Sequence, residues 1–246
     1  MFTTILDPNR EVGEFAATVP NAVKVFETYG IDYCCHGSDS LAKACKKLGV
    51  HLSEVCQALE KNSVIKVEGF IDWDKKKLSE LISYIVSKHH SFTKTELDRL
   101  INLLNKVCSV HENNHPELNK VKTLFYLLFQ DLTTHLMKEE QVLFPYIIRL
   151  ETAVDQKEPL PYSHFGSVNN PIQMMMYEHD QASSLLKELH SVTNSYISPD
   201  DACASYKALY AGIKDLELDL HQHIHLESNI LFPRAVELEK AFAQKL

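Results

Sequence analysis

The pattern H-x-x-x-E-x-x-x-L-F-P occurs twice in this chain, as His135-Leu-Met-Lys-Glu139-Glu-Gln-Val-Leu-Phe-Pro145 and as His223-Ile-His-Leu-Glu227-Ser-Asn-Ile-Leu-Phe-Pro233. Residues four apart share one face of a helix, so each copy can aim an imidazole and a carboxylate at one point. The helix preceding each copy carries a further candidate histidine: His179 ahead of the second copy, the pair His89-His90 ahead of the first. The chain therefore reads as two similar helical hairpins.

The rest of the sequence agrees with that reading. From Asp72 onward four long segments show helical period, roughly 73–107, 117–150, 169–195 and 200–240. Breakers fall between them: His111-Glu-Asn-Asn-His115-Pro116, the stretch from Lys157 to Pro171, and Ser198-Pro-Asp-Asp201. Only seven glycines occur in 246 residues, which argues against a sandwich or barrel. The expected fold is all-α, with an antiparallel four-helix bundle over residues 72–246 preceded by a small helical domain over residues 1–65. In the small domain Thr18-Val-Pro20 reads as a helix start and Gly30 as its stop. The turn Asp32-Tyr-Cys-Cys-His36-Gly37 follows, then helices near 39–48 and 53–61 and a linker at Asn62 to Gly69.

Phase along the helices shows which histidines face the core. On the third long helix Ile172, Met175, His179, Ala182, Leu186 and Leu189 form one stripe. On the second Val121, Leu124, Leu128, Asp131, His135 and Val142 line up, and on the fourth Leu209, Ile213, Leu216, Leu220, His223 and Glu227 do. The first helix gives two answers. Leu78, Leu81, Ile85 and Phe92 share a stripe with His89, whereas alignment of the hairpins favours His90, because Leu97, Leu100 and Leu103 follow it as Leu186, Leu189 and Val192 follow His179. His90 is taken as the candidate, with His89 the runner-up.

Burying four imidazoles and two carboxylates without partners would cost about 2–7 kcal/mol per neutral group and more per charge, so metal ions are expected to compensate. Nitrogen and oxygen donors without thiolate suit iron or manganese, and iron is the expectation. Two ions, with two histidines each and both glutamates shared, leave coordination positions free for an oxo or hydroxo bridge and outside ligands. His36, His51, His111, His115, His164, His190, His221 and His225 are expected to be ordinary surface, loop or packing residues, with His225 the best of them as an accessory. Glu140 and Glu178 adjoin ligands but are rotated by about 100° from them, which fits solvated or ligand-orienting roles.

The formal charge of -8 disfavours nucleic acid as a partner. No basic leader opens the chain and no run of roughly 18 apolar residues occurs, so a cytoplasmic protein without a membrane span is expected. Six cysteines, at 34, 35, 45, 56, 108 and 203, include no CxxC pair and read as reduced thiols, four of them within the first 60 residues.

With these residues in view the chain resembles the RIC family, the di-iron iron-sulfur cluster repair proteins of bacteria, over nearly its whole length. That family joins a small domain bearing Asp-Tyr-Cys-Cys, here Asp32 to Cys35, to a hemerythrin-like bundle bearing H-x-x-x-E-x-x-x-L-F-P twice. The resemblance implies two iron ions with His90, His135, His179 and His223 as terminal ligands and Glu139 and Glu227 as bridges. It also implies damaged iron-sulfur proteins as partners, a homodimer, and a stress response in which clusters harmed by nitric oxide or peroxide are restored, with iron donated from a labile centre. Oxygen-carrying hemerythrins complete H-x-x-x-H and H-x-x-x-x-D elements that stop here at Ser183 and Ser228, which counts against oxygen transport. The vicinal Cys34 and Cys35 are expected to exchange redox state or relay iron, with His36 lowering a thiol pKa or adding a ligand. Two other classes share the same ligands: a di-iron enzyme reducing nitric oxide or peroxide, and a gas or iron sensor.

Overall fold

A computed structural model describes residues 7–63 and 71–243, and these form an all-α protein. Apart from one isolated bridge, Glu11 to Ser40, no β pairing occurs among the described residues. Most of the expected linker, and the first six residues, lie outside them. No described helix is long and apolar enough to cross a membrane. The chain divides into two compact units, Met1–Leu81 with His221–Glu237, and Ile82–Leu220 with Leu238–Leu246.

Four short helices open the first unit: α1 (Val12–Thr18), α2 (Ala22–Tyr29), α3 (Leu41–Leu48) and α4 (Leu52–Ser63). Thr18 ends α1 instead of starting a helix, because its hydroxyl donates back to the Glu14 carbonyl at 2.6 Å and Val19 is already extended. The next helix begins after Asn21. Gly30 stops it as expected, in the left-handed region at φ 67° that a residue with a Cβ adopts at a cost. Ser40 caps α3 by accepting from the Lys43 amide. Val12, Phe15, Phe26, Leu41, Val55 and Leu59 fill the core of this unit together with Ile224.

The second unit is built on α6 (Ser91–His111), α7 (Glu117–Lys138), α9 (Asn169–Val192) and the greater part of α10 (Ala204–Leu226). Leu97, Leu100 and Leu104 of α6 share one core with Leu124, Phe125 and Leu128 of α7, Leu186 and Leu189 of α9, and Leu209, Ile213 and Leu216 of α10. Helix α5 (Leu78–Tyr84) runs into α6, α8 (Phe144–Gln156) continues α7, and α11 (Phe232–Ala243) continues α10.

Each of these three passages is a π-helical turn, at Ile85–His90, Glu139–Leu143 and Glu227–Leu231. The amides of Phe144 and Phe232 reach back five residues to the carbonyls of Glu139 and Glu227, and Ser91 reaches Val86 in the same way. In the two repeats the proline after the phenylalanine has no N–H to give an α-helical ladder, so the break falls where a donor is missing anyway. An extra residue per turn rotates all that follows. Phase carried through the turn therefore failed at Val142, which is 37% exposed while Leu143 and Phe144 are buried. Asp131 is also exposed, with Leu132 buried in its place.

Candidate metal centre

Within the second unit, His90, His135, Glu139 and His179 come together. Their elements explain this: α7 presents His135 and, one turn later, Glu139 at the start of its π turn, while the π turn ahead of α6 ends on His90 and α9 brings His179 in its apolar stripe. All four side chains are buried. Oε2 of Glu139 lies 3.4 Å from Nε2 of His90, and Oε1 lies 3.3 Å from Nε2 of His135. Nε2 of His179 is 3.2 Å from Nε2 of His135. The two carboxylate oxygens are thus divided between two imidazoles.

The outward nitrogens of those imidazoles fix their tautomers. Nδ1 of His90 lies 2.7 Å from Glu140 and Nδ1 of His135 lies 2.9 Å from Glu178. A carboxylate only accepts, so each Nδ1 carries the proton and each Nε2 turns a lone pair toward Glu139. Lone pairs facing carboxylate oxygens in a buried place repel unless a cation or a proton is shared among them. This donor set fits a hard or borderline divalent ion. Glu140 and Glu178 thus each accept from one buried imidazole. The hydrogen bond from His135 holds Glu178 down to about 2 against the opposing effect of burial, and Lys138 adds to it. Burial raises Glu140, yet the bonds from Lys94 and His90 outweigh it and leave it lowered.

His89 is equally buried but turns to Asp219, with Nδ1 at 3.0 Å from the carboxylate. A six-residue π turn brings both neighbouring histidines inside, one to each carboxylate system.

In the first unit His223 and Glu227 stand one turn apart, both buried, with Nε2 at 2.9 Å from Oε1. Two residues on, Asn229 donates to the carbonyls of Tyr33 at 3.0 Å and Cys34 at 3.5 Å, and its amide nitrogen lies 2.9 Å from Nδ1 of His225. His225, the best accessory among the remaining histidines, is 4% exposed and stands edge-on to the Tyr33 ring. Asn229 and Asp219 were missed altogether. The only signal for Asn229 was that it replaces Gln141, its exposed counterpart in the first copy.

The thiol turn is organised by Asp32, whose Oδ1 accepts from the Cys35 amide at 3.0 Å and from the Cys34 thiol at 3.4 Å. The two sulfurs are 3.7 Å apart, and none of the six cysteines forms a disulfide. His36 pairs with Asp32 through Nδ1 at 2.8 Å. The Cys35 sulfur, burial and the Asp32 carboxylate all push the Cys34 thiol up, so the lowered thiol pKa expected from His36 is not found at Cys34. Asp32, Cys34 and Cys35 can nevertheless offer one oxygen and two sulfurs within 4.8 Å of one another.

Two family models match the chain. One describes a domain of unknown function (ScdA_N, DUF542) over residues 8–63, the other the hemerythrin HHE cation binding domain over residues 81–235. A relative from Haemophilus influenzae, called "Probable iron-sulfur cluster repair protein", is 35% identical over 92% of this chain and 96% of its own length. The iron-sulfur cluster repair protein YtfE of Escherichia coli O81 is 36% identical over 93% and 97%. The two domains follow one another along this chain, the relatives match it over more than nine tenths of their length, and this chain belongs to the iron-sulfur cluster repair protein family.

Proposed function

We propose that the chain holds two iron ions through His90, His135, His179 and His223, with Glu139 and Glu227 as bridges, and restores iron-sulfur clusters damaged by nitric oxide or peroxide. The observation that carries the reading is that Glu139 divides its two buried oxygens between Nε2 of His90 at 3.4 Å and Nε2 of His135 at 3.3 Å, with His179 3.2 Å from His135. The second copy of the repeat repeats the element in its own unit, with Nε2 of His223 2.9 Å from Oε1 of the buried Glu227. Two histidine–glutamate elements of this kind are what a di-metal carboxylate centre draws on. When bound, iron in a site of this kind supplies redox chemistry and open positions for small ligands. The chain's own part is to hold the tautomers of His90 and His135 through Glu140 and Glu178 and to exclude water from Glu139.

Repair moves iron as cargo, and thiolates are its natural acceptors on the way to a cluster. Cys35 is the more accessible thiol of the Asp32 turn, so it makes first contact with iron or with a damaged client, while Cys34 stays protonated behind it. Metal analysis with Mössbauer spectroscopy on anaerobically purified protein tests the centre: two irons per chain are expected, and the double variant Glu139→Ala/Glu227→Ala should lose them. Two irons retained in that variant would overturn the bridges. Cys34→Ser/Cys35→Ser should keep both irons yet fail to reactivate a nitric-oxide-damaged iron-sulfur enzyme; full reactivation at equal iron loading would make the cysteines structural.

A further inference from the structure

A second cluster of reactive side chains lies at the far end of α6, roughly 30 Å along that helix from His90 at 1.5 Å per residue. His111 is the last residue of α6, and Cys203 immediately precedes the 23-residue α10. Nε2 of His111 lies 3.2 Å from Sγ of Cys203. Of the six cysteines Cys203 is the exposed one. Its carbonyl accepts from the Lys207 amide at 3.1 Å, which puts Cys203 at the N-cap, where the unsatisfied amides of the first helical turn gather positive potential.

The imidazole is held in place. Tyr206 packs against His111 with ring centres 5.4 Å apart and against His115 at 5.5 Å. His115 is tied to Asp201 at 3.1 Å and to Glu117 at 3.1 Å, which fixes the ring that Tyr206 packs against. A thiol, an imidazole in contact with it, a helix N-terminus and open solvent are the four elements that make a cysteine nucleophilic. Asp200, Asp201 and Glu112, all exposed, adjoin these residues in sequence, so an approaching molecule meets carboxylates.

We propose that Cys203 and His111 form a thiol-exchange site for a small cationic disulfide. Nε2 of His111 takes the thiol proton, and the Cys203 thiolate attacks one sulfur of the disulfide. A new S–S bond forms at Cys203 as the old one breaks, and the departing sulfur carries off the electron pair and the proton from His111. Cys203 is oxidised to a mixed disulfide, one half of the small disulfide is reduced to its thiol, and no other oxidant is needed. The site lets the exposed end of the bundle register the thiol balance around the protein.

The test uses the full chain with cystamine as probe and peptide mapping of the mixed disulfides with time. In the unaltered chain Cys203 should be modified first, ahead of the half-buried Cys35. His111→Gln sits at a helix end, where the fold tolerates it, and circular dichroism verifies that. It should slow Cys203 by about a hundredfold, the lower end of the range for loss of a general base, while Cys35 keeps its rate. Glutathione disulfide, which is anionic, should react more slowly than cystamine at equal concentration. Modification of Cys35 first, or an unchanged Cys203 rate in His111→Gln, would overturn the site; glutathione disulfide reacting as fast as cystamine would overturn the choice of a cationic partner.

Discussion

Acid should loosen the first unit through one residue, His225. Its side chain is 4% exposed, and its Nδ1 faces the Asn229 amide nitrogen at 2.9 Å. The neutral ring can accept a hydrogen bond there; protonation would set N–H against N–H in a buried place. Burial pushes His225 down from 6.5 to about 4, with a smaller opposing contribution from the Tyr33 backbone. For a depressed folded-state value the stabilisation is intact above the unfolded value and is lost as pH falls between 6.5 and about 4, since the unfolded chain binds the proton first. The full span is worth about 3 kcal/mol at 1.36 kcal/mol per unit, of which about 2 kcal/mol falls between pH 7 and pH 5. Hydrogen exchange reads this directly. After correction for intrinsic rates, amides of α2 and of 221–231 should open roughly thirtyfold more often at pH 5 than at pH 7. His225→Gln keeps an acceptor for Asn229 but cannot titrate, and should remove most of that change. Groups common to both chains, His223 and Glu227 included, cancel in the comparison. Equal loss of protection in parent and Gln variant would refute the assignment to His225.

Gly37→Ala should destabilise the same unit by about 1–3 kcal/mol in thermal unfolding, because the added Cβ would sit 2.3 Å from Oδ1 of Asn229. Combining it with Asn229→Ala should cost less than the sum of the two, and strict additivity would count against the close approach. Glu178→Gln should weaken iron binding by about tenfold or more while the optical bands keep their positions, since it replaces the charged acceptor of the His135 Nδ1–H by a weaker neutral one at a residue that is not itself a proposed ligand; competition with a chelator measures this. His90→Ala should lose or weaken one iron, whereas His89→Ala should leave the spectrum nearly unchanged because His89 serves Asp219. The reverse order in iron content would move the ligand by one residue.

Sequence period succeeded where a helix keeps one period. On α9 and α10, Ile172, Met175, His179, Ala182, Leu186 and Leu189, and then Leu209, Ile213, Leu216 and Leu220, are all buried as phase requires. The conflict over the first helix has a structural origin. Leu81, Ile85 and His89 are in phase before the π turn ends, and His90, Thr93, Leu97, Leu100 and Leu104 are in phase after it. The apolar stripe through His89 belongs to the first half, and the leucines that follow His90 belong to the second. A turn that changes residues per turn from 3.6 leaves no mark in composition, and in Ile85 to His90 there is not even a proline to signal it. Long-range polar partners were illegible for another reason. Asp219 for His89, and the Tyr33 carbonyl for Asn229, depend on which elements meet, and local period says nothing about that.

The two copies of the repeat therefore diverge in a way that has consequences for the thiols. In the first copy the residue two places after the glutamate is Gln141, exposed to solvent; in the second it is Asn229, whose amide grips the carbonyls of Tyr33 and Cys34. Gly13 and Gly37 lack the side chains that would push this amide away, with approaches of 2.7 and 2.3 Å to where a Cβ would stand. Glu227 and Asn229 lie in one five-residue π turn, closed by the bond from Phe232 to the Glu227 carbonyl. Relaxing that turn to α geometry would rotate Asn229 by a large part of the 100° per residue that separates neighbours on a helix, and would withdraw its amide from the Cys34 backbone. The second copy of the repeat thus does what the first does not: through Asn229 it fixes the backbone from which Cys34 and Cys35 project.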